Sequence, residues 1–279
     1  MSGPADKTAR EEARVPLVFK LIAVLALTVL LLPVIIVCLA GFNAGDFLTF
    51  PPQGLSLRWV IAFLTSDTYM DAYLFSLGLA LLATLISTVL GTMVAIYLTR
   101  SRARVAGALR SFFLAPIVLP GVVLGLSLYV FYASTDLGLA RSFPGLLIGH
   151  VLVTCPFVIG TVTASLVGFD VSLEEAARSL GAGPWTAFRK VTFKIIAPGV
   201  MAGGIFAFIV SFGQFEIALF LSTPNLQPLP IAMYISLRYA FEPIAAAAGI
   251  FAIALVIISM VLTSRLVDLR RVTSGKHEK

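Results

Sequence analysis

The chain predicts an all-helical membrane protein, a bundle of six transmembrane spans. Three observations carry that expectation. Only 12% of the 279 residues are charged and 59% are hydrophobic, with a mean hydropathy of +1.00, whereas an ordinary soluble domain holds roughly 25% charged residues. Six apolar runs are each long enough to supply the ~20 residues that cross a ~30 Å hydrocarbon core. The basic residues collect on one side of those runs, as membrane topology demands. This balance excludes soluble enzymes, disordered chains and collagen-like fibres.

The runs lie near Leu17 to Ala40, Ala72 to Leu98, Ser111 to Ala133, Pro144 to Val167, Gly199 to Ser222 and Ala245 to Val267. Lys7, Arg10, Arg14 and Lys20 precede the first run, as they would a secretory signal, but the run exceeds the about 7 to 15 apolar residues of a signal core and is expected to remain as a span. In the third run Pro116 and Pro120 stand one turn apart and each removes a backbone donor, so this helix should be kinked or locally unwound. Such breaks are tolerated at membrane depth against protein or a water-filled path, which leaves a packing kink and a solute path as the two meanings. His150, in the fourth run, is expected as a hydrogen-bonded interior histidine. In the fifth run Glu216 lies about six residues, hence about 9 Å, from the outer end. An ionised carboxylate there rarely faces lipid, so Glu216 should turn inward, with Gly213 and Phe212 on its face, to meet either a solute or a neighbouring helix. Cys38 and Cys155 fall inside apolar runs and read as small hydrophobes.

Orientation follows from Lys and Arg. Seventeen of the 20 fall in one set of segments: Lys7, Arg10, Arg14 and Lys20; Arg100, Arg102, Arg104 and Arg110; Arg178, Arg189, Lys190 and Lys194; Arg265, Arg270, Arg271, Lys276 and Lys279. Only Arg58, Arg141 and Arg238 lie opposite. Both termini are therefore expected in the cytoplasm, with tails of residues 1–16 and 268–279 flanking a membrane domain of residues 17–267. The net charge of +6 reads as topology plus contact with anionic lipid headgroups. No basic patch is interleaved with aromatics, so a nucleic-acid partner is not expected. The longest outer loop, Gly41 to Asp71, carries Asp46, Asp67 and Asp71 and is large enough to meet an external partner.

Between the fourth and fifth runs, Gly168 to Pro198 is too long for a simple connection. Ser172 stands three residues before Glu175, a capping-box spacing, and Leu173 to Leu180 reads as a short helix ending at Gly181. Gly183 and Pro184 open a second helix, since Pro fits a first helical position, and Trp185 and Phe188 share its face. This pattern suits an amphipathic pair lying on the membrane or a docking element for a cytoplasmic protein.

The string Glu174 to Lys190, EEAARSLGAGPWTAFRK, resembles the EAA loop of ATP-binding-cassette importer permeases: Glu-Ala-Ala, three residues, then Gly, here Glu175, Ala176, Ala177 and Gly181. The family pattern continues as Ile-x-Leu-Pro, whereas this chain has Val191, Thr192, Phe193 and Lys194, so the exit from the second helix is expected to differ. Ala115 to Tyr132 and Ser211 to Pro224 resemble the third and fifth spans of polyamine-type permeases. The resemblance implies a type I importer (MetI-like) fold in a bacterial inner membrane, with Glu175, Ala176, Ala177, Leu180, Gly181, Trp185 and Phe188 coupling to an ATPase subunit. It implies two ATP-binding subunits, a second permease that is a different homologous chain, a periplasmic solute-binding protein and a polyamine-like solute such as spermidine or putrescine. Pro116, Pro120, Gly213, Gln214 and Glu216 are the candidates for the translocation path. That family commonly has acidic residues where Gly213 and Gln214 stand, and an apolar one at Glu216, which opens the substrate to less charged amines.

The chain has no Gly-x-x-x-x-Gly-Lys-[Ser/Thr] and no His-Glu-x-x-His. ATP and Mg are thus expected on partner subunits, with no cofactor or metal held here and no enzymatic activity of its own. The rival is an ion-coupled secondary transporter, which commonly shows several intramembrane ionisable residues and internal repeats; this chain has essentially Glu216.

Overall fold

The computed structural model describes residues 16–101 and 106–274. Lys7, Arg10, Arg14, Arg102, Arg104, Lys276 and Lys279, with the N-terminal tail and the last five residues, lie outside them. The described chain is helical nearly throughout. Helix α1 (Leu17–Gly41) is apolar on every side and buries only Ala40 and Gly41. A helix hydrophobic all round belongs in lipid. Its one close approach is to α12 (Ile244–Ser274), where a Cβ on Gly41 would stand 2.6 Å from the Ile250 Cδ1.

The core is a trio: α3 (Asp67–Arg100), α6 (Phe143–Val167) and α9 (Phe193–Phe212). Lipid supplies no hydrophobic drive between helices, so their contact is made by small residues that let backbones approach. Gly91 of α3 packs beneath Val158 of α6, Gly203 of α9 lies against Val158 and Thr161, and Gly199 lies against Ser165. Ala80, Ala83, Ala95 and Ala207 are fully buried along the same seams. The Ser87 and Thr154 hydroxyls meet at 2.6 Å, so buried oxygen finds a partner between helices. His150 is interior and hydrogen-bonded as expected, its Nδ1 2.8 Å from the Ser211 hydroxyl.

At the outer end, the short helix α2 (Arg58–Thr65) tucks Trp59 and Phe63 against the trio and α12, with Phe63 stacked on Phe251 at 4.6 Å. Asn43, fully buried, donates to the Phe47 carbonyl at 2.9 Å and accepts from the Gln53 N–H at 2.9 Å. One amide side chain thereby organises the Gly41 to Asp71 loop.

Two expected spans are broken. The third is α4 (Ala106–Val118) and α5 (Gly121–Ala133), bent by 106°. Pro116 stays inside α4, and the turn falls at Leu119 and Pro120, with Pro120 at the N-cap of α5. The fifth is displaced. Helix runs from Pro184 to Phe212, through Lys194, whose N–H is available to it, and past Pro198. The chain then leaves the helix at Gly213 and re-enters as α10 (Glu216–Leu221). Gly213 and Phe212 therefore do not continue a helical face with Glu216. A further helix, α11 (Leu229–Tyr239), occupies the expected outer loop; at 11 residues it is too short to register as a span. Among the described residues, five helices are long and apolar enough to cross a membrane, and the bent pair, taken as one span, makes a sixth.

Candidate functional site

The segment between α6 and α9 holds the helix, glycine joint and second helix expected of it. Helix α7 (Ser172–Ser179) begins differently from a capping box: Ser172 is already helical, and the Asp170 carboxylate accepts its N–H at 2.9 Å. The Ser172 hydroxyl and N–H hold the Asp170 carboxyl below its ordinary range. Asp at this place satisfies one of the donors that a helix start leaves open. The other end closes as a Schellman motif: the Gly181 N–H donates to the Arg178 carbonyl at 3.0 Å and the Ala182 N–H to the Ala177 carbonyl at 3.1 Å. Gly181 adopts φ +89°, the left-handed region where glycine is favoured.

Gly183 caps α8 (Pro184–Ala187), with Pro184 in its first turn. A π-helical turn, Phe188–Thr192, passes directly into α9. The Trp185 and Phe188 rings stack at 5.6 Å. Leu180 is 90% exposed and Trp185 70%, so the joint presents a leucine and an indole outward. Glu175 and Ala176 are exposed beside them, and Ala177 and Phe188 are half-buried.

The residue that fastens this pair is Glu174, one position before the expected Glu175. Its carboxylate accepts from the Arg100 guanidinium at 2.6 Å and 3.4 Å and from the Thr192 hydroxyl at 2.6 Å. Partial burial pushes the Glu174 carboxyl up, but the Thr192 and Arg100 hydrogen bonds and the nearby positive charges of Arg100 and Arg178 outweigh it, and the group lies below the ordinary range. Three elements meet there: the end of α3, α7 and the π turn. Local pattern could not find this contact, since Arg100 is 74 residues away and registers in the sequence only as a topology charge.

The translocation candidates are partly brought together. Glu216, partly buried, opens α10 with its side chain against Gly121, where a Cβ would stand 3.1 Å to 3.3 Å from Glu216 side-chain carbons. Gly125 lets the Glu216 carbonyl and Phe220 approach α5. The break after α4 and the break after α9 thus adjoin, with Pro120 and Glu216 at the meeting. Gly213 is exposed and Gln214 buried in the link between α9 and α10. Pro116 lies one turn earlier, within α4.

An all-helical bundle with broken spans and an exposed apolar joint between two of its core helices is the architecture of a membrane permease subunit. The chain belongs to the binding-protein-dependent transport system inner membrane component family, which matches residues 87–273. It is 29% identical over 238 residues to the spermidine/putrescine transport system permease protein PotC of Escherichia coli K12, covering 85% of this chain and 89% of that protein. It is 31% identical over 227 residues to the putrescine transport system permease protein PotI of the same organism, covering 80% of each. The molybdenum transport system permease protein ModB, also of that strain, is 31% identical over 226 residues, 76% of this chain and 99% of that one. In fold the chain resembles a bacterial ABC transporter of alginate, solved with an alginate-bound periplasmic protein, at TM-score 0.70 and 17% identity over 89% of this chain and 93% of that one. It also resembles the MetNI methionine transporter, at TM-score 0.58 and 18% identity over 74% and 99%. The fold is that of a type I ABC importer permease, and the family is one of inner-membrane components.

Proposed function

We propose that this chain forms half of the translocation pathway of an ATP-binding-cassette importer for a small amine-bearing solute of the polyamine type. The observation that carries the coupling half of this reading is the exposed Leu180 and Trp185 joint, fastened to α3 through Glu174 and Arg100. Aromatic and leucine side chains held out from a helical pair suit a groove on a partner protein. Two ATP-binding subunits close on ATP and Mg, the joint moves with them, and the α3 to α9 trio carries the motion to the broken spans. Both termini lie in the cytoplasm, a periplasmic binding protein delivers solute to the opposite face, and a second, homologous permease completes the path.

The amine class is supported by the likeness to PotC and PotI and by a carboxylate, Glu216, where two helix breaks adjoin. An oxyanion of the kind suggested by the name of ModB would be repelled by that carboxylate. The test is co-purification from the native host followed by reconstituted uptake of radiolabelled putrescine, spermidine and molybdate. ATP-dependent uptake of an amine is expected, and Glu216→Gln should reduce it while assembly persists. A complex without any ATP-binding subunit would overturn the importer reading, and uptake of molybdate alone would overturn the amine.

A further inference from the structure

At the expected outer face, the first turns of α3, the loop of residues 222–227 and helix α11 enclose a cavity of about 560 Å³. Its walls are largely apolar, with Ile231, Ala232 and Ile235 along α11, and its polar groups include Tyr69, Ser236, Gln227 and Glu242. Tyr69 is only 8% exposed, and its hydroxyl, which neighbours the Ser236 hydroxyl, makes no close hydrogen bond. The Ser236 hydroxyl lines the same cavity and likewise makes no close hydrogen bond, the Tyr69 hydroxyl being its polar neighbour. Two buried hydroxyls without a close hydrogen bond leave donor and acceptor capacity open toward the cavity.

Glu242 is brought to this cavity by the end of α11. The Phe241 N–H donates to the Ser236 carbonyl at 2.9 Å, and its carbonyl accepts from the Leu48 N–H at 3.1 Å. Phe241 itself stands at φ +55°, a left-handed conformation uncommon for a non-glycine residue. The turn delivers Glu242 to the lining of the cavity that Tyr69 also faces. Among the described residues, Glu242 is in no ion pair. Arg238, the nearest cation on α11, is drawn to the Tyr234 hydroxyl at 3.0 Å and over the Tyr234 and Tyr239 rings instead. A second cavity, of about 500 Å³, shares Thr68, Pro224 and Gln227 with the first and adds the Asp71 carboxylate and the Asn225 amide. Neither cavity is lined by Lys or Arg.

We propose that these adjoining cavities form an outer-face binding site for an alkylammonium solute, its charged end held by Glu242, Tyr69 and Ser236 and its methylene chain lying on α11. A second ammonium of a diamine reaches toward Asp71. The chemistry selects a cation on a hydrocarbon stem: carboxylate and hydroxyl oxygens accept its N–H donors, and the apolar wall desolvates its chain. The site rests on the amine reading above and deepens it, placing recognition at the mouth as well as at Glu216.

The test uses the whole complex in lipid nanodiscs, with equilibrium binding of radiolabelled putrescine and with butanediol, its uncharged counterpart, as competitor. Glu242→Gln should weaken binding on the order of tenfold to a hundredfold and Tyr69→Phe about fivefold, while butanediol fails to compete. Tyr69→Phe removes only a hydroxyl that makes no close hydrogen bond, so it should fold as well as the parent and carries the decision should Glu242→Gln fail to assemble. Putrescine binding unchanged in both variants, or displaced equally by butanediol, overturns the site and leaves the amine reading standing. A parent complex that transports no amine in the reconstituted assay overturns that reading, and the site with it.

Discussion

Gly181 illustrates how a single position governs the coupling joint. Its φ of +89° demands the left-handed region, while a Cβ there would meet nothing within 4 Å. A substitution is therefore penalised by backbone strain of about 1 to 2 kcal/mol and not by a clash. Gly181→Val should abolish substrate-stimulated ATP hydrolysis with membrane insertion intact, and Gly181→Asn, which tolerates this conformation, should retain most of it. Equal loss in both would assign the effect to the side chain. Glu174 makes a complementary prediction. Glu174→Gln should weaken the hold on α7 by about 1 to 2 kcal/mol, allowing for the solvent around a half-exposed Arg100, read as faster amide hydrogen exchange over residues 172–180. Because the folded carboxyl lies below its ordinary range, its stabilisation is present above the ordinary glutamate range of about 4.3 and is lost only as pH falls through the lower folded value. Protection of α7, corrected for intrinsic exchange, should persist on acidification from neutrality to that range and disappear beneath it. Gly181 was legible in the sequence because helix, glycine and proline follow one another locally, whereas the Glu174 partners became visible only when α3 and the π turn met it.

The α3, α6 and α9 trio depends on residues whose virtue is to be small. A Cβ on Gly91 would stand 2.8 Å from the Val158 Cβ and 3.2 Å from the Cys155 carbonyl, whereas one on Gly78, in the same helix, would meet nothing within 4 Å. Gly91→Ala should lower the midpoint of thermal unfolding in detergent, through overpacking worth about 1 to 3 kcal/mol. Gly78→Ala should leave it unchanged or raise it, since replacing an unconstrained helical glycine stabilises by roughly 0.5 to 1 kcal/mol. A fall of equal size in both would point to helix propensity and away from seam packing. The elements that sequence reasoning misplaced share a cause. Apolar length detects membrane residues but not a change of direction among them: the prolines of the third run announced the break between α4 and α5, whereas nothing comparable separated α9 from α10. The short α11 escaped because neither length nor an unbroken apolar run announces it.

At the scale of the whole molecule, the basic residues predict a direction across the membrane. Reporter fusions at Lys190 should signal cytoplasm, and fusions at Pro52, Asp136 and Gln227 should signal periplasm. A periplasmic signal at Lys190 would separate the Leu180 and Trp185 joint from any ATP-binding subunit. By itself the amino-acid sequence determined that the chain spans a membrane, roughly where it does so, and that a helix, a glycine joint and a second helix interrupt the spans. Those properties are written in apolar length, charge and the local grammar of Gly and Pro, which need no distant partner. Only the tertiary structure decided that Arg100 holds Glu174, that Glu216 lies on Gly121 where two breaks adjoin, and that Tyr69, Ser236 and Glu242 share one outer cavity. Each of these joins residues far apart in the chain, and their meeting is set by close packing through glycine and alanine, which leaves no periodic mark in the sequence.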